Sequence, residues 1–126
     1  IRFVCTADGR AVDFIKPHHI YSFMINALEN CIENVRQRAD HREVDVVIMR
    51  KDNMCIIKTE NYTDNEKIEM RDGVPETTKS NKEEHGFGVK SMKNIVELYG
   101  GCIRFYVENH NFTVIALIPV PDDNGD

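Results

Sequence analysis

The sequence predicts an α+β fold, a mixed and mostly antiparallel sheet with helices layered on one face. Three observations predict it. Two segments carry apolar residues at helical spacing, His18 to about Arg38 and Gly88–Tyr99. Six short runs read as strands: Ile1–Thr6, Ala11–Ile15, Glu43–Arg50, Met54–Asn61, Cys102–Glu108 and Phe112–Val120. The strands are joined mostly by turn signals rather than by helical crossovers, which favours antiparallel neighbours.

Taken in order, Asp8-Gly9 is a hairpin signal between the first two runs. Pro17 suits a helix entrance. Ile20, Met24, Leu28, Cys31 and Val35 then form one stripe, with Tyr21, Ile25 and Ile32 beside it. Asn26, Glu29, Asn30 and Glu33 fall off that stripe. Lys51-Asp52-Asn53 predicts a second hairpin. Tyr62–His85 is polar, charged and aperiodic, the profile of a functional lid or a disordered loop. Gly100-Gly101 reads as the stop of the second helix. Asn109-His110-Asn111 turns the last hairpin, and the end from Pro121 is expected to fray.

The 126 residues are enough for one domain with a single core, 1–126. A net charge of −5 gives no support to a nucleic-acid footprint. Cys5, Cys31, Cys55 and Cys102 are scattered; three lie in apolar segments, so they read as buried free thiols in a reducing compartment. No run is long and apolar enough to span a membrane, and no signal peptide is present. The chain begins at Ile1, so a piece of a longer protein is expected, whose membrane anchor lies in missing N-terminal segments.

Two motifs carry chemistry. Asn26 and Asn30 lie four apart, on one helix face, so both carboxamides can act on one object. Their oxygens suit a hard cation such as Mg²⁺. His85-Gly86-Phe87-Gly88-Val89 opens the second helix, where glycines let backbone N–H groups approach a phosphate. Together they suggest a Mg-nucleotide site between two helices. A dinucleotide fold fits poorly, because Gly86-x-Gly88 does not directly follow a strand and lacks a third glycine; the glycines of a P-loop are missing too. The plainer alternatives are solvated helix positions for the asparagines and solvated charges for Lys79, Lys82, Lys90 and Lys93, the lysines otherwise candidates for phosphate contact. The remaining histidines have no metal-ligand spacing.

Asn26-Ala-Leu-Glu-Asn30-Cys resembles the N-box of the GHKL ATPases, which include sensor histidine kinases, gyrase-type topoisomerases, chaperones and mismatch-repair ATPases. His85–Val89 and the following Ile-Val-Glu-Leu-Tyr-Gly-Gly resemble the second glycine box and helix of the histidine kinases. The resemblance covers nearly the whole chain in order. It implies a Bergerat-type ATP-binding fold, an α/β sandwich with a long ATP lid. It further implies ATP and Mg²⁺ as ligands, with Asn30 as metal ligand and Asn26 supporting phosphate or metal. Gly86 and Gly88 would cradle phosphates, with His85, Phe87, Val89 and Lys79 beside them.

The family's adenine-binding Asp is replaced here by Asn61, whose oxygen can still accept from the adenine amino group, and the glycines that normally follow are absent. Asn61, the Thr77–Ser80 run and His85 are similar to the branch of histidine kinases that senses peptide pheromones in Gram-positive bacteria. Hydrolytic relatives carry Glu at the first N-box position, where Asn26 stands; Asn is no base at neutral pH. Glu29 is a candidate to orient the acceptor or a water. The expected reaction is transfer of the γ-phosphoryl group to a histidine on dimerising helices upstream in the same protein, with a response regulator as indirect partner. The parent is expected to be a membrane-bound homodimer whose cytoplasmic portion contains this domain. The rivals are an anti-sigma-type serine kinase or free-standing ATPase, and a degenerate module that no longer binds ATP.

Overall fold

The computed structural model describes residues 1–71, 74–75 and 82–122, and only the backbone of residues 82–87. In chain order the elements are β1 (Arg2–Ala7), a 3-10 turn (Gly9–Val12), α1 (Pro17–Val35), β2 (Glu43–Lys51), β3 (Met54–Tyr62), β4 (Met70–Arg71), β5 (Val74–Pro75), α2 (Lys82–Leu98), β6 (Cys102–Glu108) and β7 (Asn111–Pro119). The main sheet runs β1-β2-β3-β7-β6, and β4-β5 form a separate two-stranded ribbon. β1 is parallel to β2 and every other neighbour in the main sheet is antiparallel. The α+β reading with a mixed sheet and two helices therefore holds.

The sequence misleads at the first hairpin. Asp8 Oδ1 accepts the backbone N–H of Arg10 at 3.0 Å, turning the chain into the 3-10 element rather than a tight reversal. Ala11 and Ile15 are buried from that turn instead of from a strand. β1 instead pairs in parallel with β2, from Arg2 opposite Glu43 to Ala7 opposite Ile48, with α1 as the crossover. The other two hairpins form as the turn residues require. Asn109 and His110 both take positive φ, 53° and 63°, as a two-residue type I′ turn demands. Asp52 takes φ 55° between β2 and β3.

α1 begins at Pro17, whose missing N–H costs nothing at a first helical position. Its buried row is Phe23, Ala27, Cys31 and Val35, each four apart, with Ile20, Met24 and Leu28 partly buried alongside. Tyr21 and Ile25, expected near the apolar stripe, are 69% and 56% exposed. On β3 the buried residues alternate: Cys55, Ile57, Thr59 and Asn61. Together with Val89, Met92, Ile95 and Val96 of α2 and Val114, Ala116 and Ile118 of β7, most of these form the main core. Burial pushes the Cys31 and Cys55 thiols up to about 11. Cys5 and Cys102 are exposed, so buried thiols describe only two of the four free cysteines.

α2 starts at Lys82, six residues before the expected Gly88. Lys82-Glu83-Glu84 are good helix formers, and each glycine costs a helix only about 1 kcal/mol, too little to break it here. The expected lid is not wholly structureless either. Val74 of the β4-β5 ribbon is buried and Ile68 packs against the core. Lys79 and the Thr77–Ser80 run lie outside the described residues. Among the described residues no helix is long and apolar enough to cross a membrane.

Candidate functional site

The polar face of α1 meets α2 at one end and β3 at the other. Near the start, Ser22 Oγ lies 3.5 Å from Ser91 Oγ of α2. One turn on, Asn26 Nδ2 donates to the Ser22 carbonyl at 2.9 Å. This bond fixes the carboxamide and turns its oxygen towards α2. A Cβ at Gly88 would lie 3.0 Å from Asn26 Oδ1. The two motifs singled out in the sequence are thus in direct contact. α2 runs antiparallel to α1, since Ser22 faces Ser91 and Asn26 faces Gly88. Asn30 is half-buried one turn further, and its carboxamide pairs with none of the described residues. Glu29 is exposed.

Because α2 begins at Lys82, Gly86 and Gly88 sit inside the helix and not at its entrance. Their backbone N–H groups are therefore not the free donors of a helix start. Gly88 instead lets the Asn26 oxygen approach closely. The Val89 side chain is buried in the core, so only its main chain is left for a ligand. The side chains of His85 and Phe87 lie outside the described residues.

The sequence motifs miss the third carboxamide on this face, Asn34, although the same four-residue step from Asn30 reaches it. Asn34 Nδ2 lies 3.4 Å from Asn61 Oδ1. Asn61 is 2% exposed, and its Nδ2 donates to the Tyr62 carbonyl at 2.9 Å. Two residues earlier on the same face of β3, the buried Thr59 hydroxyl has no hydrogen-bond partner. It lowers the Cys31 thiol against the larger upward push of burial, but does not meet it at bonding geometry. A buried orphan hydroxyl costs about 1–3 kcal/mol, which a bound polar group or water would relieve.

Tyr62 fixes the strand end that carries Asn61. Its ring stacks on His41, with centroids 4.1 Å apart, and on His110 at 5.7 Å. The Arg38 guanidinium sits 4.3 Å from the same ring and bonds Asp64 at 2.8 Å. Its hydrogen bond is the main reason Asp64 stays below the ordinary carboxylate value.

Among the described residues no three His, Cys, Asp or Glu side chains converge on a possible metal. A cation here would be held by carboxamide oxygens and by the ligand it accompanies. Such a donor set suits Mg²⁺, which keeps substrate phosphates and waters in its shell and takes few protein ligands. The Asn30 carboxamide, unpaired among the described residues, and the Gly88 cradle under Asn26 together fit a Mg-nucleotide.

A family profile described as the GHKL domain matches residues 15–119, and the chain belongs to that family. No curated protein matches the chain. Among solved structures, the catalytic domain of histidine kinase ThkA in a nucleotide-free form superposes with a TM-score of 0.68 at 16% identity, covering 94% of this chain and 78% of that one. A second nucleotide-free form of that domain gives 0.67 at 17% identity, covering 96% and 81%. The Acinetobacter baumannii histidine kinase AdeS gives 0.61 at 13% identity, with 96% of this chain against 56% of that one. At such identities the likeness is one of fold.

Proposed function

We propose that this chain is the ATP-binding catalytic domain of a sensor histidine kinase. The observation that carries the reading is the contact of the Asn26 carboxamide with Gly88, in line with Asn30 and ending at the buried Asn61. Asn61 would take the adenine amino group, Asn30 the metal, and Asn26 the phosphates or metal. Bound Mg-ATP supplies the phosphoryl group and the metal charge that offsets its negative charge. The chain's own residues bind and orient it, and that positioning is most of what a phosphoryl-transfer protein contributes.

The acceptor would be a histidine ring nitrogen on dimerising helices of the same protein. Its bond to the γ-phosphorus forms as the bond to the bridging oxygen breaks, and ADP leaves. With Asn26 in place of a carboxylate base, water is left unactivated, which supports transfer over hydrolysis. Glu29, exposed and next to Asn30 in the chain, would orient the acceptor. Lys79, His85 and Phe87 remain assigned to the phosphates by resemblance; Gly86, inside α2, would serve them by close approach and not by a free N–H. The peptide-pheromone branch rests on Asn61, Thr77–Ser80 and His85, and with it go a homodimeric, membrane-bound parent, a cytoplasmic location for this domain and a response regulator downstream.

Calorimetric titration with Mg-ATP tests the reading. Wild type binds, and Asn30→Ala binds about tenfold more weakly when Mg²⁺ is present. Equal affinities would remove Asn30 as metal ligand; no binding by wild type would favour a degenerate interaction module. Mixing the domain with radiolabelled ATP and the upstream helices should give acid-labile label. Acid-stable label would favour the serine-kinase reading.

A further inference from the structure

The contact between Asn34 and Asn61 has a chemical polarity that the nucleotide reading does not use. The Tyr62 carbonyl can only accept, so the Asn61 group facing it at 2.9 Å is the nitrogen. That leaves the Asn61 oxygen towards α1, where the Asn34 nitrogen lies 3.4 Å away. This distance is long for an N–H···O bond, whose usual length is about 2.9 Å. The two groups are therefore loosely held, side by side, one an acceptor and the other a donor. Each keeps capacity: the oxygen a second lone pair, the amide nitrogen a second N–H.

Adenine presents the complementary pair on either of its edges. Its amino group donates and is flanked by ring nitrogens that accept, N1 on one side and N7 on the other. Guanine places a carbonyl where adenine has the amino group, so two acceptors would face each other at Asn61 on either edge. Resting on the nucleotide reading above, we propose that Asn34 is a base-recognition residue: it donates to the ring nitrogen beside the adenine amino group while Asn61 accepts from that amino group. Two facing carboxamides then read two atoms of the base, with the buried strand end as their fixed support.

The test is calorimetric titration of this chain and of Asn34→Leu with Mg-ATP, 1-deaza-ATP and 7-deaza-ATP. In wild type, one of the two deaza analogues should bind roughly five- to tenfold more weakly than ATP, the loss of one hydrogen bond. Which one it is identifies the edge that is read. Asn34→Leu should bind ATP weaker by a similar factor and no longer distinguish that analogue from ATP. Asn34→Ala, checked by thermal melting, gives the same comparison if the leucine variant misfolds. A residue that merely held the fold would lower affinity for all three ligands alike. Overturning results are ATP affinity unchanged in both variants, both deaza analogues binding wild type like ATP, or a penalty that persists without Asn34. If wild type binds no ATP, the nucleotide reading fails and this inference falls with it; if ATP binds but is indifferent to Asn34, only this inference fails.

Discussion

The glycines at the two ends of α2 meet different kinds of neighbour. At the C-terminal end Gly100 takes φ +79°, the left-handed position that closes a helix. Gly101 N–H returns to the Val96 carbonyl at 2.9 Å and Gly100 N–H to the Glu97 carbonyl at 3.0 Å, the two bonds of a Schellman motif. A Cβ on Gly101 would lie 2.4 Å from the Leu117 carbonyl oxygen and 3.0 Å from the Ile118 Cα. These neighbours are the backbone of β7, an interior strand of the sheet that resists displacement. Towards the other end, the nearest described atoms to a Cβ at Gly88 belong to the Asn26 side chain. A glycine packed on main chain serves the fold. A glycine packed on a side chain proposed to bind the nucleotide would serve the site, and the two should separate under mutation.

Gly101→Ala should have the largest effect. With backbone 2.4 Å from the new methyl, strand or helix must shift. Overpacking of this kind costs ~3 kcal/mol, or roughly 10 °C in Tm for a domain of this size. Thermal unfolding measures it, and an unchanged Tm would show that the α2–β7 approach is looser than drawn. Nucleotide affinity of the fraction that remains folded should be little altered.

Gly88→Ala should do the reverse. Alanine gains about 1 kcal/mol in a helix interior. Against that stands the displacement of Asn26 and its bond to Ser22, worth about 1 kcal/mol. The terms cancel to within their size, so Tm stays near wild type. Mg-ATP affinity should fall about tenfold, because the Asn26 oxygen can no longer lie over α2. A variant that binds as well as wild type would detach Gly88 from the site and erase the contrast.

These contacts also show what could be read from sequence and what could not. Periodicity placed α1, and the i, i+4 rule put Asn26 and Asn30 together because that geometry is local. The same rule reaches Asn34, but its partner Asn61 lies 27 residues away on β3, and nothing local announces that pairing. Thr59 was likewise invisible, since an orphan hydroxyl is a property of packing. Asp8-Gly9 signalled a turn correctly but not its kind: the Asp8 bond to Arg10 made a 3-10 turn, and β1 found a parallel partner across a helix. Gly100-Gly101 announces only a helix stop in the sequence, because the closeness of β7 to Gly101 depends on tertiary structure. Gly86-x-Gly88 marks a boundary to any local reading, but the flanking helix formers carry α2 back to Lys82.

Gly100→Ala comes third and sharpens the comparison within the C-terminal pair. A Cβ there meets nothing within 4 Å, so the only cost is a left-handed backbone, about 1 kcal/mol for a non-glycine residue. Tm should fall by roughly 4 °C. A loss as large as that of Gly101→Ala would mean that closure geometry, and not the approach to β7, limits this end.

The smallest expected effect concerns the residue beside those glycines. The Tyr99 hydroxyl accepts the Lys16 N–H at 3.0 Å and lies 2.6 Å from His19 Nδ1, tying the end of α2 to the start of α1. Burial first, then the positive charges of His18 and Lys16, hold His19 below the ordinary imidazole value of 6.5. The folded state thus prefers neutral His19. Its contribution is present above the unfolded value and is lost as pH falls through the lower folded one. Between about pH 7.5 and pH 5, a span that brackets the ordinary imidazole value, Tm should drop more in wild type than in His19→Gln, which cannot titrate. Parallel curves would sink the assignment. The clasp joins the helix ends remote from Gly88, so the same acidification should shift the wild-type and His19→Gln affinities for Mg-ATP by equal factors. A shift confined to wild type would show that the fold end and the site end of α2 are coupled, which the separation of the two glycine pairs denies.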